Sequence, residues 1–211
     1  MLKQGLVQVY TGKTNEMNLA HIGLSLRATG QSLRTFIMGF LPHPFIDTED
    51  RALSFLKPNI VIKRLPLKYI PSDEKLHGSD IDKINKSFEH IQEIIFSGTF
   101  DVIILEEINQ FIDTGIIPVS NIVNLIKNKP TNVELVLTGR NAAGEIIEQA
   151  DLVTEMIEHK KEEGSWKIDG RDQEGCVGVI TGNGKGKTTY CLGYRPCSLP
   201  PMESRQAYCS L

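Results

Sequence analysis

Cysteine is missing from the first 175 residues of this 211-residue chain; Cys176, Cys191, Cys197 and Cys209 all fall in its last stretch. That distribution speaks against a disulfide framework or a paired C-x-x-C metal site, and marks a compositional break. Long apolar runs are missing too. None approaches the roughly 20 residues that span a bilayer. The start, MLKQGLVQVY, has no apolar stretch leading to a small-residue cleavage site, so a cytoplasmic protein without a membrane partner is expected. Positive charge is not in excess. A formal net charge of −3 supplies no basic field for nucleic acid, so no nucleic-acid partner is expected. His21, His43, His77, His90 and His159 show no metal-ligand spacing. What is present, 40% hydrophobic and 23% charged residues, suits one globular domain and is too short for two full α/β domains.

Short β-rich runs alternate with helical patterns. Leu6 to Tyr10, Thr35 to Phe40, Ile60 to Ile62, Phe100 to Leu105, Val133 to Leu137 and Leu152 to Ile157 read as strands. This alternation predicts an α/β fold, a mostly parallel sheet flanked by helices. The clearest helix starts near Ser79, which forms a capping-box pattern with Asp82, and carries Ile81, Ile84, Phe88, Ile91 and Ile95 on one core-facing side. A second follows Pro118, with Val119, Ile122, Val123 and Ile126 inward and a stop before Pro130; a third covers Gly144 to Ala150. The domain then spans residues 1–158. Residues 159–174 are polar and charged apart from Trp166 and Ile168, as in a solvated linker.

From Gly175 the sequence begins again. Gly175 to Tyr194 aligns without a gap to Gly5 to Leu24 at an offset of 170 residues, with six of twenty positions identical. The second copy carries a strand, Val177 to Ile180, running into Thr181, Gly182, Asn183, Gly184, Lys185, Gly186, Lys187, Thr188 and Thr189. Glycines there let backbone N–H groups converge on phosphate oxygens, Lys187 would reach a terminal phosphate, and the Thr188 hydroxyl would meet Mg²⁺. In the first copy the same register puts Glu16 at the position of Gly186, Met17 at that of Lys187 and Asn18 at that of Thr188. A carboxylate then points into a polyphosphate site and the lysine is gone. Thr11, Gly12, Lys13 and Thr14 do spell T-G-K-T, and a deletion would make them the end of a shortened loop; that alternative leaves almost no loop to wrap a phosphate.

The stretch from Leu137 to Met156, L-T-G-R leading to A-D-L-V-T-E-M, resembles the signature of the ATP:corrinoid adenosyltransferases. Asp101 to Asn109 resembles that family's second nucleotide motif, and residues 181–189 resemble its phosphate loop, the leading Thr included. The resemblance implies a P-loop NTPase (RecA-like) architecture, with MgATP and a corrinoid as substrates. It also implies a chemistry in which Co(I) attacks the 5′ carbon of ATP and triphosphate leaves. Family spacing from Thr11 to the R-A-x-G at Arg27 to Gly30 matches without insertion, which favours the ungapped register and a degenerate first loop. By the same resemblance Glu106 and Glu107 would help hold Mg²⁺, with Glu106 in place of the usual Asp. Arg140, after a Thr–Gly at a strand end, would meet substrate or brace its loop by an ion pair.

Departures from the family weaken the expectation of catalysis. Gly39–Phe40–Leu41–Pro42–His43 stands where the family has Q-F-x-K-G, and only Tyr69 approximates the aromatic segment that presses on the corrinoid. Pro196, Pro200 and Pro201 stop the helix after the second loop, so residues 175–211 read as a truncated second copy expected to be poorly ordered. A sharper possibility has the tail strand Cys176 to Ile180 displacing Leu6 to Tyr10, in its own or another subunit. Three functions follow: an adenosyltransferase-family domain with weak or lost activity, working with a homodimer or tandem partner; a corrinoid- or partner-binding pseudoenzyme; and a generic P-loop ATPase.

Overall fold

In the computed structural model the described residues are 2–12, 20–40, 53–65, 78–157, 180–182, 187–189 and 191–192. Their elements, in order, are β1 (Val7–Gly12), α1 (Ala20–Gly30), β2 (Thr35–Gly39), β3 (Ile60–Arg64), α2 (Gly78–Phe96), β4 (Val102–Glu106), α3 (Ile108–Asp113), α4 (Val119–Asn128), β5 (Glu134–Thr138), α5 (Gly144–Gln149) and β6 (Leu152–Met156). The strands form a six-stranded sheet in the order β3-β2-β4-β5-β1-β6, and every pairing is parallel. β1, which leads into the first loop, is separated by β5 from β4, which ends in the acidic pair. This is the RecA-like order of P-loop NTPases.

Period-two alternation explains why the strands are apolar almost throughout: both sheet faces are covered. Val9, Phe36, Met38, Ile103, Leu105, Leu135 and Leu137 face one core, together with Ile84, Phe88, Ile91 and Ile95 of α2 and Ile122, Leu125 and Ile126 of α4. Tyr10, Ile37, Ile104 and Val136 face the other, against Ala20, Ile22 and Ala28 of α1. Buried apolar surface contributes about 25 cal/mol per Å², so the two continuous cores hold the sheet between its helices.

All six expected strands form, with ends moved by one or two residues. The α2 stripe is as expected except that Ile81 is only half-buried at the open first turn. In α4 the buried set is Ile122, Leu125 and Ile126, so Leu125 replaces the half-buried Val123 on the inward side. α3, unannounced by periodicity, is a single short turn-and-a-half packed under β4 and β5 through Ile108, Phe111 and Ile112. One correction concerns strand exchange: β1 lies between β5 and β6, bonded on both edges, so the tail strand does not take its place in this chain. Cys176 to Val179 lie outside the described residues, as do Trp166, Ile168, Tyr69, His43, His77, His159 and the tail prolines.

Candidate functional site

Open parallel sheets bind ligands beyond the carboxyl ends of their strands, where helix N-termini and turn amides converge. Here the ends of β1, β4 and β5 are stitched into one floor. The Glu107 N–H donates to Thr138 Oγ1 at 3.1 Å, and Asn109 Nδ2 donates to the Gly139 carbonyl at 3.0 Å. The turn after β5 folds back on β1: Asn141 N–H donates to the Gly12 carbonyl at 3.2 Å, and Ala142 N–H to Thr11 Oγ1 at 3.1 Å. Two of the three non-glycine residues with positive φ among the described residues, Glu107 (61°) and Asn141 (53°), sit on this floor beside Gly139 (120°). Asn tolerates the left-handed region; Glu does not readily, so backbone strain is concentrated at Glu107. At Gly139 an added Cβ would lie 3.2 Å from Asn109 Cβ and Glu107 Cα, tighter than ordinary contact, in a backbone conformation that already strains any side chain.

Glu106 is buried at the end of β4, and both its oxygens are engaged. Arg64, from the end of β3, bonds Oε2, and His21, from the first turn of α1, places Nε2 3.4 Å from Oε1. Burial alone would push this carboxyl up, but His21 and Arg64 outweigh it and hold the pKa at about 2. Glu107 moves the other way: burial, then the charge of Glu106, push it up to about 7 against the pull of His21 and Arg140. The space Arg64 uses is supplied by Gly39. A Cβ there would collide with the Arg64 guanidinium and lie 3.1 Å from Glu106 Oε2. The residue that departs from the Q-F-x-K-G pattern is therefore the one that lets an arginine reach the acidic pair.

As placed, Glu106 is not presented as a free ligand for Mg²⁺. Divalent magnesium takes ionised, accessible oxygen ligands in a near-octahedral shell. Glu106 instead gives one oxygen to Arg64 and the other to His21.

The structure brings Thr11, Gly12, Glu106, Glu107 and Arg140 together at the strand ends, the Arg140 charge acting on Glu107. Lys13 and Thr14 lie outside the described residues, as do Asn183, Gly184, Lys185 and Gly186. Of the tail loop, Gly182 has φ 145°, Lys187 is half-buried, Thr188 is exposed and Thr189 is buried. His21, Arg64 and Asn109 were not singled out as site residues by sequence; the Lys63–Arg64 pair closing an apolar strand was the available signal for Arg64.

The family model for the ATP:corrinoid adenosyltransferases BtuR/CobO/CobP matches residues 3–170. The chain belongs to the ATP:corrinoid adenosyltransferase family. A corrinoid adenosyltransferase of Sinorhizobium sp. is 30% identical over 156 residues, covering 73% of this chain and 72% of that protein. The corrinoid adenosyltransferase of Escherichia coli K12 is 21% identical over 154 residues, covering 73% and 77%. An uncharacterized protein of Nostoc sp. is 30% identical over 203 residues that take in 90% of this chain, and the chain spans only about half, 52%, of it. No described helix is long and apolar enough to cross a membrane.

Proposed function

We propose that residues 1–158 form an adenosyltransferase-family domain whose own nucleotide site has weak or lost activity. The ancestral reaction would join C5′ of ATP to Co(I) of a corrinoid, the cobalt supplying the electron pair while the C5′–O bond breaks and triphosphate leaves. Protein groups in such a site orient ATP and neutralise the polyphosphate. In this domain Met17 stands in the register of the phosphate-loop lysine, and the observation that carries the reading is the Arg64–Glu106–His21 cluster, which neutralises internally a carboxylate the reaction would use for metal.

Residues 175–211 read as the start of a second copy. Support comes from the Nostoc relative: an alignment taking in 90% of this chain necessarily reaches past Gly182 and Lys187, in a protein of about twice the length. A tandem copy or a second subunit is thus the partner proposed, in the cytoplasm, with MgATP and a corrinoid as small-molecule substrates and no nucleic acid. The second reading, a corrinoid- or partner-binding pseudoenzyme, is favoured by the same sealed carboxylate. A generic ATPase is disfavoured, because it gives no reason for L-T-G-R to lead to A-D-L-V-T-E-M.

Titration of MgATP and a reduced corrinoid, with adenosyl–cobalt formation followed by absorbance, tests these readings. Turnover at least about 100-fold below that of an intact family member is expected, the scale of losing one charge-stabilising contact. Corrinoid binding without any turnover selects the pseudoenzyme, ATP hydrolysis without corrinoid selects the ATPase, and full turnover overturns the proposal.

A further inference from the structure

One contact joins the start of the second copy to the first domain. Arg27, in the last turn of α1, donates from Nη1 to Thr189 Oγ1 at 2.9 Å, and Thr189 is only 4% exposed. A threonine this far beyond the polar linker is buried only if something covers it. The residues beside it, Lys187 to Thr189 and Cys191 to Leu192, are helical.

Arg27 is exposed on α1, and a buried polar strip lies beneath that helix. Beneath α1 the Tyr10 hydroxyl donates to Gln8 Oε1 at 2.8 Å, and Gln8 Nε2 in turn donates to Glu134. The Tyr10 phenol is pushed up by burial and by Glu134 and pulled back by Arg27, so the guanidinium sits within the field of this strip and offsets its carboxylate. A guanidinium near the negative end of a helix is favourably placed there and carries five donors, enough to serve a neighbour. A hydroxyl fits that role; the apolar residue in register with Thr189 in the first copy, Leu19, would not.

We propose that Arg27 is a docking residue, and that the α1 face around it is the seat for the phosphate-loop helix of the segment that follows this domain in the same chain. The proposal rests on reading residues 175–211 as the start of a second copy. It makes the loop's helical end part of the first domain's surface and not a free appendage. Lys187, two residues before the anchored Thr189, is thereby carried on that surface.

The test is a double-mutant cycle on the full chain, without nucleotide or corrinoid. Thr189→Val keeps shape and removes the hydroxyl. It is expected to lower the unfolding equilibrium stability of the domain by at least about tenfold in equilibrium constant, the scale of a hydrogen bond to a charged donor, and to have no effect in an Arg27→Ala background. Should Arg27→Ala fail to fold, Arg27→Gln serves as the background. An unchanged unfolding transition in Thr189→Val, or the same loss in both backgrounds, overturns the docking. A midpoint that shifts with protein concentration overturns it as well, by placing the contact between chains. Because no substrate is present, failure here leaves the reading of the nucleotide site intact, and loss of that reading in the turnover assay leaves the docking intact.

Discussion

Glu106 and Glu107 are neighbours in sequence with opposite electrostatic fates, and the cause lies in what each meets. Glu106 points to His21 and Arg64, while Glu107 turns through a left-handed backbone toward the Thr138–Gly139 turn and feels Glu106 as a like charge. With a folded pKa of about 2 against an ordinary value of 4.5, Glu106 contributes stability that is present above about pH 4.5 and lost as pH falls toward 2. Glu107, at about 7 against 4.5, behaves inversely: the native state holds its proton more tightly, so stability falls as pH rises from about 4.5 to 7. Glu107→Gln is therefore expected to flatten the stability profile over that interval, as read by urea unfolding at pH 5 and pH 8. A variant losing as much stability as the parent between those values would refute the assignment. Glu106→Gln is expected to destabilise by about 3 kcal/mol at pH 7, since it strands buried His21 and half-buried Arg64. Arg140, half-buried after Gly139, acts on Glu107 through charge, in keeping with a bracing role as much as a substrate role.

At the scale of elements, the ends of β2, β3 and β4 are adapted to one another. Gly39↔Arg64 and Gly39↔Glu106 are register partners, so the strand order itself lines up the glycine, the arginine and the carboxylate. Restoring the family residue with Gly39→Gln is expected to destabilise by about 1–3 kcal/mol through overpacking. In an Arg64→Ala background the same change is expected to be much less harmful, because the glutamine then has the vacated space. Equal losses in both backgrounds, measured by denaturant unfolding, would show that the strands do not share this space. Sequence pattern found all six strands as short apolar runs, and the stripe of α2 because a helix buried on one side leaves a periodic trace. It did not announce α3, a six-residue helix that follows β4 directly after the left-handed Glu107. Nor could it show that Arg64 and Glu106, 42 positions apart, would meet.

For the whole molecule, two phosphate-loop regions are present in sequence, and they differ in surroundings as well as in residues. Thr11 and Gly12 end a strand bonded on both sides and hydrogen-bond to the turn after β5, whereas Thr181 and Gly182 are exposed and Thr189 reaches the domain through Arg27. If the full chain binds MgATP through the intact motif, Lys187→Ala is expected to weaken binding at least about tenfold by removing a charge-assisted phosphate contact, while Lys13→Ala leaves it unchanged. Calorimetric titration of both variants decides the matter; the reverse pattern would restore the shortened T-G-K-T loop as the functional one.

The sequence by itself determined the fold class, the family and the identity of Glu16, Met17 and Asn18 in the register of the phosphate loop, because strand alternation, ordered motifs and residue identity are properties of local order along the chain. Tertiary structure alone decided that Glu106 is sealed by Arg64 and His21 and that Thr189 lies under Arg27. Those contacts join residues up to 162 positions apart, and side-chain charge and burial take their values from neighbours that only the packed sheet brings together.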